Sequence, residues 1–93
     1  MVRAEVWRSF YQDSVVLMRL AESLRALDGV EEAAALMGTP ANQEILAAAG
    51  LATDETRMAT PGDLIIAVHA ASDAAAAAAL GRARALVVER RQP

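Results

Sequence analysis

The chain has no cysteine, no lysine, a single histidine, and one each of tryptophan, tyrosine and phenylalanine. Each shortage removes a class of function. Without cysteine there is no disulfide, no thiolate nucleophile and no sulfur-ligated metal site. His69 has no second histidine or cysteine to join it, and a metal needs three or four ligands. At the end of a strand it reads as a surface or cap residue, and nothing ties Ser14 or Ser72 to it as a nucleophilic set. Scarce aromatics and a net charge of −3 argue against nucleic acid, which calls for a concentrated basic face and stacking rings. The longest apolar stretch, Ala74 to Leu80, falls well short of the roughly 20 residues of a membrane span. The alternating start Val2-Arg3-Ala4-Glu5-Val6 is no leader peptide. The expectation is a cytoplasmic protein without metal, cofactor, membrane or nucleic-acid partner.

What is present suits one small domain over residues 1–93. The apolar fraction is 55%, but alanine supplies much of it. A domain this size buries only about 60 to 65% of the surface its unfolded chain exposes. Its core is thin, and an open sheet face or edge is expected to be covered by another chain, so the partner is a second copy or a different subunit. Arg82, Arg84, Arg90 and Arg91 gather near the C-terminus, where cations offset a helix dipole. Gln92-Pro93 reads as a linker.

Periodicity sets out the elements. Val2, Ala4 and Val6 alternate with Arg3 and Glu5, the pattern of a half-buried strand over about 2–8. Leu17, Leu20, Ala21, Leu24 and Leu27 recur at helical spacing over 13–27, with Asp13 near the start and Asp28-Gly29 at the end. Glu31 to Ala35 has helical propensity, yet Gly29 before it and Gly38-Thr39-Pro40 after it favour a strand over 30–37. Thr39 as cap and Pro40 at the first position open a helix over 40–49. Residues 51–59 read as a connecting loop. Leu64 to Val68, the most branched run in the chain, is a strand over 64–69. A last helix over 72–90 carries six consecutive alanines, Ala74 to Ala79, that allow close packing.

The order is βαβαβα, an α+β fold. Uniform apolarity places the third strand at the centre, and the alternating first and second strands at its flanks with a solvent-facing side. A two-layer sandwich follows, with the first and last helices on one face: a ferredoxin-like fold lacking its last strand. The alternative is a three-stranded parallel α/β sheet. With the third strand antiparallel, three polar segments share one rim. They are Gln12-Asp13-Ser14, Gly38-Thr39-Pro40-Ala41-Asn42 and Thr60-Pro61-Gly62-Asp63. Two helix N-termini there offer free N–H groups to an anion, so Gln12, Asp13, Ser14, Gly38, Thr39, Asn42, Thr60 and Asp63 are the candidate ligand-binding residues; the other reading is that they are caps and turns. No catalytic residue is assigned. Glu31-Glu32 and Asp54-Glu55 are solvated charge, and no GxGxxG or Walker-type loop is present.

Tyr11-Gln12-Asp13-Ser14-Val15-Val16-Leu17-Met18, Met37-Gly38-Thr39-Pro40-Ala41-Asn42 and Ala59-Thr60-Pro61-Gly62-Asp63-Leu64-Ile65 resemble, in order and spacing, the start of FdrA-family proteins. That family is similar to the α subunit of succinyl-CoA synthetase with an extra N-terminal domain, and some members are implicated in carbamoyl transfer. The resemblance spans nearly the whole chain and covers the N-terminal domain alone, so an isolated domain, a split-gene subunit or a fragment is expected. It implies a non-catalytic accessory or assembly domain that docks on CoA-ligase-like subunits or mediates oligomerisation through an exposed sheet face. The alternative is a small-molecule or anion-binding regulatory module using the rim. His69 is no counterpart of the family's phosphorylated histidine, which lies far downstream.

Overall fold

The computed structural model describes the backbone of residues 1–91 and the side chains of residues 1–89. The expected linker at Gln92-Pro93 and the side chains of Arg90 and Arg91 lie outside the described residues. In chain order the elements are β1 (Val2–Trp7), α1 (Ser14–Arg25), β2 (Val30–Met37), α2 (Pro40–Ala48), α3 (Asp54–Arg57), β3 (Leu64–Ala70) and α4 (Asp73–Arg91). The strands form one sheet in the order β1-β3-β2, with β3 antiparallel to both neighbours. This is the ferredoxin-like α+β arrangement, and the parallel alternative is excluded.

Local chemistry explains where the elements start. Asp13 caps α1, its carboxylate accepting the Val15 and Val16 amides; Thr39 caps α2 through the Asn42 amide, with Pro40 at the first turn. Ser72 caps α4 through the Ala75 amide. α1 ends at Arg25, earlier than the periodicity suggests, and Gly29 takes φ +81° in the turn that follows. A Cβ there would lie 2.9 Å from Ala75 Cβ, so this glycine also admits α4 close to the start of β2.

Residues 51–59 are not wholly loop. Thr53 and Thr56 form a reciprocal capping box around the single turn of α3, and Thr56 is fully buried. A helix this short leaves no periodicity to read, only the Thr-x-x-Thr spacing.

Pairing register sorts the sheet into two faces. Ala33, Ala35, Leu64, Ile66, Val68 and Ala70 pack with Leu17, Leu20, Ala21 and Leu24 of α1 and with Ala76, Ala79, Leu80, Ala83 and Val87 of α4. The opposite face carries a smaller cluster, Ile65 and Ala67 beneath Leu46 and Leu51. The expected bare face therefore has a cover, supplied by the chain from α2 to α3. β1 lends its apolar side, Val2, Ala4 and Val6, to this second cluster. Arg3, Glu5 and Trp7, paired with Val68, Ile66 and Leu64, share the α1/α4 face. Glu5 is held there by Arg84 of α4 at 2.8 Å and by the Trp7 indole N–H at 3.1 Å.

Candidate functional site

At the end of β1 the chain turns through Ser9, which holds the left-handed φ of 48°, rare for a residue with a side chain. Phe10 then meets Trp7 edge to face, ring centroids 5.0 Å apart. The Ser9 amide is fixed by Asp63, donating to Oδ1 at 2.8 Å, while the Thr60 amide donates to Oδ2 at 2.9 Å and Arg8 approaches the same oxygen at 3.4 Å. Asp63 is 3% exposed. The Thr60 amide first, then the Ser9 amide and the Arg8 charge, hold its carboxyl below the usual carboxylate range.

Gly38 lies against the same turn. Its amide donates to the Asp63 carbonyl at 2.9 Å, and a Cβ on it would stand 2.5 Å from the Thr60 carbonyl oxygen. Only a glycine lets β2 leave the sheet so close to the turn that opens β3. Gly38, Thr60 and Asp63 thus bond to one another and form the floor of the rim, with Asp63 serving as a tie between β1 and β3.

Beside this floor is a groove of about 350 Å³ between the start of α1 and the end of β2. Gln12, Ser14, Thr39 and Asn42 line it, with Leu17, Met18 and Met37 among its apolar walls. Four of the eight candidate residues therefore meet in one cavity. Asp13 sits at the α1 start, its carboxylate engaged by the helix amides. The Asn42 amide group donates to the Met37 carbonyl at 2.8 Å, and the Thr39 hydroxyl accepts from the Asn42 backbone. The polar lining is chiefly side-chain amide and hydroxyl, without an unpaired cation, which suits a neutral or hydrogen-bonding group better than a phosphate.

Several contributors have no signal in the polar motifs. Tyr11 and Met18, 69% and 63% exposed, bring apolar surface to the groove; Met18 falls outside the apolar stripe of α1, which is the one sequence hint of a second role. Gln43 is another: its amide donates to the Thr56 carbonyl at 2.7 Å, tying α2 to α3. His69, read as a surface residue, has Nε2 3.3 Å from Glu31 Oε2. The Glu31-Glu32 pair divides as adjacent strand residues do: Glu32 turns to Arg25 at 2.8 Å and accepts the Ala33 amide at 2.9 Å. The Ala33 amide and then Arg25 lower its pKa. Among the described residues, no helix is long and apolar enough to cross a membrane.

Fold and groove together define a small ferredoxin-like domain. The family described as AllF, heavy metal-associated domain, matches residues 1–93, and the chain belongs to that family. As a heavy metal-associated-like small domain it is a non-catalytic module. It is also similar to the uncharacterized protein YahF of Escherichia coli (strain K12), 42% identical over 64 residues, which is 69% of this chain and 12% of that protein. The chain thus spans a small part of the length of this curated relative. No solved structure matches it.

The family description raises a heavy metal, and the residues present do not fit one. Soft ions are held by thiolates or imidazoles in sets of three or four. The sequence has no cysteine and one histidine, that histidine faces Glu31, and no group of three or more His, Cys, Asp or Glu comes together among the described residues. The thioethers of Met18 and Met37 that reach the groove are too few to make a ligand set.

Proposed function

We propose that this chain is a cytoplasmic, non-catalytic accessory domain of a larger FdrA-type assembly, docking on CoA-ligase-like subunits or joining them into oligomers. The observation that carries the reading is the thin second face of the sheet. Val2, Ala4, Val6, Ala34 and Leu36 are only partly buried there, and Ile45 and Met58, in and beside the helices that cover it, are 55% and 71% exposed. Apolar surface left so open in a domain with so thin a core suits burial by another polypeptide. The segments 11–18, 37–42 and 59–65 support the FdrA-type context, and the small share of YahF that the chain spans supports a part within a longer protein. The direct test is isothermal titration of the chain into a CoA-ligase-like subunit of an FdrA-type assembly. A micromolar complex weakened by Leu36→Asp is expected; absence of heat with both partners near ~100 µM overturns the role.

A second reading is favoured by the groove alone, a regulatory site for a small molecule held by Gln12, Ser14, Thr39 and Asn42. Thermal-shift titration with small neutral amides, and with CoA, carbamoyl phosphate and small dicarboxylates as the anionic arm, separates it from the first, since binding to the folded state raises the melting temperature by mass action. No shift at millimolar concentration removes it.

A further inference from the structure

The two edges of the sheet are unequally protected. At the end of β3, the Ala70 amide donates to the carbonyl of Met1, the residue before β1, at 2.8 Å. Antiparallel bonds recur at every second residue, so Arg3, Glu5 and Trp7 turn their backbone groups toward β3, while Val2, Ala4 and Val6 turn theirs outward. The same counting from Gly38 and Asp63, joined at 2.9 Å, leaves Ala33, Ala35 and Met37 outward on β2. That edge is plugged: the Ala33 amide is taken by the Glu32 carboxylate, the Met37 carbonyl by Asn42, and a register shift between Val30 and Glu32 distorts its start. β1 has no proline and no such shift, and no side chain among the described residues bonds the outward groups of Val2, Ala4 or Val6. β1 carries the charges of Arg3 and Glu5 and has α3 packed against it, but its outward backbone groups are unbonded among the described residues, and a row of such groups is a template for another strand.

The sequence of β1 says which strand. We infer that β1 pairs antiparallel with β1 of a second copy about a two-fold axis at Ala4, joining two sheets into one. In that register Val2 faces Val6 of the second copy and Ala4 faces Ala4, and each pair exchanges two backbone hydrogen bonds through its outward groups. On the α4 side Arg3 faces Glu5 of the second copy, twice by symmetry, an opposite-charge cross-strand pair. Arg3 is exposed and makes no ion pair among the described residues. Glu5 retains carboxylate lone pairs beside its bonds to Arg84 and Trp7. On the other face the facing valines extend the partly covered apolar strip across the axis. Charge, apolar pattern and backbone parity agree on one register. The inference rests on the reading of the domain as an assembly module and names one of its contacts.

The pattern also supplies its test. Sedimentation equilibrium of the wild-type chain is expected to give a reversible dimer in the micromolar range. Arg3→Glu sets carboxylates against carboxylates and Glu5→Arg sets guanidinium against guanidinium, so each alone weakens the dimer by about tenfold or more. An equimolar mixture of the two variants restores opposite charges at both positions and returns the dimer to about the wild-type constant. Ala4→Pro removes an outward amide without touching the ladder to β3. It is expected to be folded by far-UV circular dichroism and monomeric. A wild type monomeric to about 1 mM overturns the inference, as do variants that dimerise unchanged or a mixture of folded variants that stays monomeric. Loss of the dimer with the heterocomplex intact removes this contact alone; a dimer without the heterocomplex removes the docking role alone.

Discussion

The two faces of this sheet are built from the same strands and differ in almost everything else. Against α1 and α4 the strands present Leu64, Ile66 and Val68 among Ala33, Ala35 and Ala70 to two long helices, and these six side chains are closed off from solvent. Against α2 and α3 they present Ala4, Ala67 and Ala34 side by side in register, roofed by little more than Leu46 and Leu51. Stability and availability are divided between the faces. One holds the domain together, and the other is closed only as far as folding requires.

Ile65 and Ile66 are neighbours in β3 that point to opposite faces, and both are essentially inaccessible to solvent. Truncating each to alanine in parallel and measuring urea unfolding tests the division most sharply. Ile66→Ala is expected to cost about 3 to 4 kcal/mol and Ile65→Ala about 2, because partly buried neighbours relax into the smaller void. Equal costs, or the reverse order, would break the contrast.

Gly38→Ala probes the junction between the faces. Its methyl group meets a backbone oxygen, not a flexible side chain, so the strand exit has to move, at an expected cost of about 1 to 3 kcal/mol in the same measurement. A neutral result would mean that β2 and the turn at Thr60 separate freely.

Asp63→Asn is expected to have the smallest effect on packing and a distinctive dependence on pH. The folded state holds this carboxyl below its ordinary pKa, so its contribution is complete above the unfolded value near pH ~4 and is lost as pH falls through the folded value. The wild type should lose melting temperature more steeply than the variant below pH ~4, and the variant should melt lower at neutral pH. Parallel pH profiles would deny Asp63 its part in tying β1 to β3.

Much of the fold is legible from spacing. The break at Gly29, the Thr39-Pro40 start and the branched run from Leu64 each carry a local physical reason, and the central position of β3 follows from its two covered faces. The cover over Ile65 is not legible, because alternation along β1 tells which residues share a face and not what lies across from it. Arg3 and Glu5 look solvated for the same reason, although Glu5 lies beneath α4 through a bond to Arg84 that is distant in sequence. At the rim, the gathering of three polar segments is legible from topology. Whether a polar side chain faces a groove or the backbone is not: Asp63 binds the Ser9 and Thr60 amides in the floor, while Gln12 and Ser14 line the groove.

The alanines of α4 have a consequence for how this domain can change over time. Ala76, Ala79 and Ala83 have no side-chain rotamers to freeze and are wholly enclosed, so the helix seats itself cheaply in entropy but without slack. Any growth at these positions lifts the whole rod off the strands. Divergence among descendants is therefore channelled to the outward side of the helix, and the inner stripe should persist as a run of minimal residues whatever the chain is recruited to do.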